Sequence, residues 1–483
     1  MKRSYPPGPK VASLWIGVVL ALIPFGLALT SAKVKSATFD EDAYIGKGTA
    51  IWLEGNYWLR TAHPALAPML GTSLLLTEPE LSAPTDQPCW PDGTARSCGR
   101  ELLFYRSDTR RVLFLVRLPI TYLMVTLVAL VYRWAAELYG RRAALLPAML
   151  CALDPNLLAH GRLLTLDLVA TFFVFLSCWT FYRFWARPGW GRLAAVGLAL
   201  GAAGSARFTT GFLVPLFLVL GLARTWHLCR AELLFVSNAL PRWRAVVVAL
   251  VALVMVGGIA VLVIWIVHGA DFGPVPRWGG IRLPAPAYFN ELAALLEYRD
   301  KPQDAFLLGY HYKGGWWLYF IVAFFVKTPL PTILMVGFAL VCLVQQRGGG
   351  FGEAVLLTVA GSYFGLSLLS PFNIGYRHLL PMLPLLFVFA GRAVRVGELG
   401  PHLRLRPVPA ALLVWLTLSN LAIYPHYLAY FNEPVGPRNG YRVLVDSNLD
   451  WGQDLPALEQ YVRENDIPLL YLSWFGESRP WQY

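Results

Sequence analysis

Apolar runs of membrane-spanning length recur along almost the whole chain, separated by short polar connections. The first, Ala12–Thr30, follows Lys2, Arg3 and Lys10. It exceeds a signal-peptide core of about 7–15 residues and lacks a small-x-small cleavage site, so it reads as a retained helix. Further runs at Val112–Ala135, Ala143–Leu158, Leu166–Trp185, Leu193–Ala206, Phe208–Ala223 and Ala245–Val267 continue the pattern. Pro329–Val344, Ala354–Leu369, Leu379–Val394 and Val408–Tyr424 complete it, giving about eleven predicted spans. Every second connection is Arg-rich: Arg133/Arg141/Arg142, Arg183/Arg187/Arg192, Arg224/Arg230/Arg242/Arg244, Arg347, and Arg392/Arg395/Arg404/Arg406. All fall on the side of the N-terminus, which predicts an N-in/C-out topology.

The opposite side carries the long connections. Residues 32–111 form a first outer loop and residues 268–328 a second, within a membrane domain spanning 1–428. In the remaining 429–483, "GYRVLVDS" and "PLLYLSWFG" read as strands flanking a helix in "QDLPALEQYVREN". That predicts a small outer α/β segment, incomplete where it stops at Tyr483. The expected fold is therefore an all-α polytopic membrane protein with one small α/β appendage.

Composition agrees with this reading. The chain is 56% hydrophobic and 14% charged, against about 25% charged in ordinary soluble domains, and its mean hydropathy is +0.50. The net charge of +12 is accounted for by the orienting Arg clusters and calls for no nucleic acid. Cys151, Cys178, Cys229 and Cys342 lie in or beside apolar runs as packing residues. Cys89 and Cys98 bracket the turn-rich "WPDGTARS"; on the outer side a disulfide is expected there, two free thiols being the alternative.

Ionisable residues that are costly near a bilayer gather at the outer ends of the predicted spans. Asp40, Glu41, Asp42 and His63 lie in the first outer loop; Asp154, His160, Arg162 and Asp167 lie in "DPNLLAHGRLLTLD". Arg207 separates two short spans, Lys327 enters the membrane in "KTPLP", and Arg377 and His378 lie in "SPFNIGYRHLLP". Carboxylates can take a proton, and cations can neutralise a phosphate leaving group. Structural readings compete. Asp40 can cap a helix, Asp167 can pair with Arg162, Arg207 and Lys327 can snorkel, and His160 and His378 can be packing residues. No metal-ligand spacing is evident, so no cofactor is predicted and a divalent metal stays open.

Several of these stretches, in this order, resemble a family. "FDEDAYIGKGTAIWLEGNYWL" with "HPAL", "DPNLLAHGRLLTLDLVATFFVF", "GGWWLYFIVAFFVKTPLP", "NIGYRHLLPMLPLL" and "VDSNLDWGQDL" are similar to landmarks of polyprenyl-phosphate-sugar-dependent glycosyltransferases with the GT-C membrane fold. Protein O-mannosyltransferases and the bacterial aminoarabinose transferase belong to that superfamily. The resemblance implies a helical bundle whose first outer loop carries the catalytic carboxylate. Carried over, Asp40 is the base and Glu41 its partner. His63, His160, Asp167, Arg207, Lys327, Arg377 and His378 would line the donor and acceptor site. Asp42 stands where many members have Pro, and Tyr44 where His is frequent, which weakens a first-loop metal site. The implied partners are a polyprenyl-phosphate sugar and an acceptor protein, lipid or glycan. The N-in/C-out topology suggests the plasma (inner) membrane with the site facing out; a lumenal site in an endoplasmic reticulum obeys the same physics. A transporter or lipid flippase, a partner-binding membrane subunit, and a GT-C ligase with a diphosphate-linked donor are the alternatives.

Overall fold

The computed structural model describes residues 11–78, 94–105, 107–228, 241–346, 348–399, 407–476, 478 and 480. The chain is predominantly helical. α1 (Val11–Lys33) leads through a short irregular segment into α2 (Glu41–Glu54), followed by α3 (Leu66–Thr72) and α4 (Ala95–Tyr105). The long α5 (Thr109–Tyr139) comes next, then α6 (Leu145–Leu153), α7 (Pro155–His160), α8 (Leu166–Ala186), α9 (Trp190–Ala206), α10 (Leu213–Leu228) and α11 (Arg242–Val267). The second long connection holds the hairpin β1 (Phe272–Val275) and β2 (Ile281–Pro284), α12 (Pro286–Arg299), and the hairpin β3 (Asp304–Leu307) and β4 (Tyr310–Lys313). The chain closes with α13 (Leu318–Lys327), α14 (Leu330–Gln345), α15 (Phe351–Leu368), α16 (Leu383–Leu399), α17 (Pro407–Ile423) and α18 (Leu455–Glu464).

Helices occupy all the predicted apolar runs, but their lengths differ from the expected count of about eleven spans. Among the described residues, 6 helices are long and apolar enough to cross a membrane, or up to 7 if α13 and α14 count as one bent pair. Part of the difference is length, since Gly17–Lys33 and Pro407–Ile423 are apolar but shorter than a full span, and two breaks shape the rest of the bundle. Asp154 caps α7, accepting from Asn156 N at 3.0 Å and Leu157 N at 2.9 Å, and so cuts the third run into two short helices. Thr328–Pro329 bends α13 against α14 by 107°, because proline removes the donor that would continue the helix. The multi-pass membrane character stands on the long apolar helices, several of which turn exposed Val and Leu outward, as at Val251, Val254 and Val261 of α11.

Backbone contacts set two packings. α9 lies on α11 across Gly197 and Gly201, where an added Cβ would come within 2.6 Å of Ile259 and of Ala260 O; small residues four apart permit such close crossings. α2 lies on α4 more closely still. A Cβ at Gly46 would fall 1.9 Å from Ala95 O, and one at Gly99 1.7 Å from Asp42 O. That approach brings α4 against the acidic start of α2.

The C-terminal segment departs from the α/β expectation. α18 forms where predicted, but no strand is present among the described residues after Tyr424. "GYRVLVDS" folds into 3-10 turns at Pro437–Arg442 and Asp446–Asn448. It makes one backbone hydrogen bond to the hairpin region, Leu308 N to Val443 O at 3.0 Å. Residues 469–475 carry no regular secondary structure. An alternating pattern needs a neighbouring edge to become a sheet; here the segment packs on the start of the first loop instead. Ser36 N and Phe39 N donate to Gln453 O and Trp451 O, each at 3.0 Å. Phe475 stacks on Phe39 with ring centroids 5.5 Å apart.

Candidate active site

The first loop is pinned before it reaches its acids. Arg117 of α5 is buried and donates to the carbonyls of Ala32, Lys35 and Ser36 at 2.7–3.0 Å. It also holds Glu41 through two parallel bonds, Nε to Oε1 at 2.9 Å and Nη2 to Oε2 at 2.7 Å. Glu41 further accepts from Thr38 N, Thr38 Oγ1 and Leu164 N at 2.9–3.1 Å. Burial works to raise the Glu41 pKa. Arg117 and the hydrogen bonds from Thr38 and Leu164 outweigh it, and the carboxyl lies below its usual range. Glu41 is 0% exposed and both of its oxygens are engaged, so its geometry is that of a positioning residue.

Asp40 faces the other way. It occupies the residue before α2, yet its side chain makes no capping bond, so helix capping does not account for it. Its Oδ2 lies 3.2 Å from Arg377 Nη1 and its Oδ1 3.5 Å from Arg96 Nη2. Its side chain is 22% exposed, whereas that of Asp167 is 3% exposed. Asp167 binds Arg207 Nη1 at 2.8 Å and lies 3.6 Å from Arg377. Its anticipated rival partner, Arg162, instead donates to Ser31 O at 3.1 Å.

Arg207 Nη2 donates to His378 Nδ1 at 2.8 Å. Because a guanidinium only donates, Nδ1 is the acceptor and the neutral imidazole carries its proton on Nε2. Among the described residues that Nε2 is buried without a hydrogen-bond partner, as is Arg377 Nε. Arg377 rests 4.1 Å above the Trp451 ring, and His160 packs edge-on against the same indole at 6.2 Å. Two acids, two guanidiniums and an imidazole thus meet from four separated parts of the sequence, Arg377 and His378 being neighbours in the chain. Buried donors with no partner are costly unless a ligand completes them.

The remaining predicted residues lie at the margin or elsewhere. His63 is near Tyr44, with ring centroids 6.0 Å apart. Burial, with Arg207, Lys47 and Arg377 nearby, brings its pKa down to about 3, so it is neutral at physiological pH. Lys327 is buried away from the acid–arginine network: Nζ donates to Leu428 O at 2.8 Å and Asn448 O at 2.6 Å, over the Phe431 ring at 4.6 Å. In this structure it ties α13 to the C-terminal segment. Cys98 is disulfide-bonded; Cys89, its expected partner, lies outside the described residues. No group of three or more His, Cys, Asp or Glu suited to a metal occurs among the described residues.

Four contributors were not singled out from the sequence. Arg96, in α4, lies 3.1 Å from Asp42 as well as beside Asp40, and its guanidinium lies over the Phe39 ring at 4.4 Å. Lys47 is buried against Glu291 of α12 at 3.2 Å and donates to His63 O at 2.8 Å, joining α2, the His-Pro turn and the second long connection. Trp451 supplies the floor under Arg377. Asn448 accepts from Tyr376 N at 2.8 Å and donates to Tyr319 Oη at 2.9 Å, fixing the backbone that presents Arg377. The signal for the last two was the turn-rich "VDSNLDWGQDL", whose long-range contacts are invisible in the linear pattern.

Comparisons with known proteins follow the same lines. Residues 109–265 match the family described as dolichyl-phosphate-mannose-protein mannosyltransferase. The fold is similar to that of ArnT from Cupriavidus metallidurans in the apo state, with a TM-score of 0.52 and 14% identity, covering 86% of this chain and 71% of that one. The same protein bound to undecaprenyl phosphate gives a TM-score of 0.51 and 13% identity, covering 86% and 72%. No curated protein sequence matches significantly. The resemblance carried by the sequence motifs agrees with both the matched segment and the shared fold.

Proposed function

We propose that this chain, a membrane glycosyltransferase of the GT-C, polyprenyl-phosphate-sugar-dependent kind, transfers its sugar by a single inverting displacement with Asp40 as the base. Asp40 takes the proton of an acceptor hydroxyl. The hydroxyl oxygen attacks the anomeric carbon, the bond from that carbon to the phosphate oxygen breaks, and its electron pair stays with the departing polyprenyl phosphate. Arg377, Arg207 and the Nε2–H of His378 neutralise the charge gained there.

The observation that carries this reading is the contrast within one cluster. A carboxylate that solvent can reach lies beside Arg377, whose Nε and whose neighbour His378 Nε2 are buried donors without partners among the described residues. A base needs access to the acceptor; an anion seat needs unused donors. Asp167 then orients Arg207 and Arg377, and Glu41 fixes the backbone at Asp40. The donor is dissolved in the bilayer, so its phosphate meets the protein where the first loop leaves α1. The side of the membrane follows from the Arg-rich connections: the N-terminus inside and the site on the outer face of a plasma membrane, with about eleven helices or helix pairs across the bilayer. The acceptor is a hydroxyl on a protein, lipid or glycan.

Single displacement has a stereochemical signature. NMR of the product's anomeric centre is expected to show configuration opposite to that of the donor. Retained configuration would require a covalent intermediate and would remove Asp40 as a simple base.

A further inference from the structure

A cavity of 690 Å³ lies beyond the Glu41–Arg117 pair and does not include Asp40, Arg377 or His378 in its lining. Its walls come from the end of α1, the start of α5, the turn at Pro425–His426 and α18. α1 and α5 pack along one another, and Lys33, the last residue of α1, and Arg110, the second residue of α5, both line the cavity. Both are exposed. Leu29 lies one turn back along α1; Leu113, Phe114 and Leu118 lie one to two turns along α5. The cavity therefore has an apolar wall below and a cationic rim above.

The charges do not cancel. The lining carries Lys33, Lys35, Arg110, Arg117 and Arg463 against Glu459 and Glu464. Lys35 is answered by Asp454 and Arg117 by Glu41. Arg463 is answered by Glu459 at 2.6 Å, while Glu464 accepts from Gln460 at 2.6 Å. Lys33 and Arg110 make no side-chain ion pair among the described residues, and they stand at the mouth.

We propose that this cavity is a second lipid site, which seats the phosphate headgroup of an anionic bilayer phospholipid on Lys33 and Arg110 with an acyl chain against Leu29, Leu113, Phe114 and Leu118. Charge complementarity favours an anion, and the apolar wall favours an amphiphile over free phosphate. The bilayer source is favoured over the polyprenyl donor because none of the residues assigned to the donor phosphate reaches this lining. Occupancy would brace α18 and the residue 35–41 backbone from behind. The inference does not rest on the transfer reaction.

The test is native mass spectrometry of the full chain released from nanodiscs containing phosphatidylglycerol and phosphatidylcholine, with wild type beside the Lys33→Gln/Arg110→Gln double variant. Both positions are exposed, so the fold is expected to survive. Wild type is expected to retain phosphatidylglycerol preferentially, and the double variant to bind it about thirtyfold more weakly, roughly fivefold for each cation at a membrane surface. Asp40→Asn is expected to retain it as wild type does. Equal retention of the two lipids by wild type, or unchanged retention by the double variant, would overturn the proposal. Displacement of the bound lipid by equimolar polyprenyl phosphate would reassign the site to the donor and overturn it as well.

Discussion

Replacing Asp40 by Asn is expected to lower the transfer rate by about 10²–10⁴-fold, the usual contribution of a positioned general base. The substitution preserves shape and removes the negative charge together with the proton affinity. Asp40 contributes no capping bond to α2, and its contacts with Arg96 and Arg377 are those of a partly exposed pair, so folding should be little changed. Donor binding should also persist, because Arg377 keeps Asp167 and the Trp451 face. The loss is therefore expected in kcat rather than in donor affinity. Steady-state transfer and donor binding, measured on the same preparation, check the division. A variant that transfers at the wild-type rate would move the base elsewhere, and Asp446 would then be examined. Burial raises its carboxyl pKa while Arg377 opposes the shift, and it adopts the left-handed backbone at φ 61°.

Replacing Glu41 by Ala is expected to act through stability instead. Glu41 and Arg117 form a buried pair with two short bonds, and removing one partner of such a pair leaves a charge without its counterion. The cost is about 3–5 kcal/mol. The Arg117 carbonyl contacts at Ala32, Lys35 and Ser36 share that guanidinium, so the first loop would loosen just before Asp40. A thermostability measurement in detergent should show the drop, with Glu41→Gln recovering part of it through the amide oxygen. Because the Glu41 pKa is lowered in the folded protein, the pair's stabilisation is present at neutral pH. It is lost as pH falls from about 4.3, the unfolded value, through the lower folded one. Wild-type stability with abolished transfer would instead make Glu41 a participant in the chemistry.

The parts of this account that were legible in the sequence share a cause. Apolar runs are long-range order written locally, and a charge at the end of such a run is expensive, so Asp40, Asp167, Arg207, Arg377 and His378 stood out without any contact being known. Which charges meet was not legible. Asp167 has Arg162 five residues away in sequence, but pairs with Arg207 and Arg377 because α8, α9 and the turn before α16 converge. Lys327 showed the same local signal as Arg377, yet backbone carbonyls of the C-terminal segment capture it. Tail strands were expected from the local pattern, but among the described residues the tail pairs with no strand and packs on the first loop instead. The hairpins at Phe272–Pro284 and Asp304–Lys313 were hidden by Gly, Pro and strands of 4 residues. Arg96 became part of the site only through the close approach at Gly46 and Gly99.

The most direct measurement is label transfer by the wild-type protein in nanodiscs from radiolabelled polyprenyl-monophosphate sugars, run beside a diphosphate-linked donor and an uptake control. Cell-derived lipid and protein fractions serve as acceptors. Label passing from at least one monophosphate donor into an acceptor fraction, with free polyprenyl phosphate released in equal amount, is the predicted result. No transfer from any monophosphate donor, with transfer from the diphosphate or movement of substrate across the membrane in its place, would contradict the account.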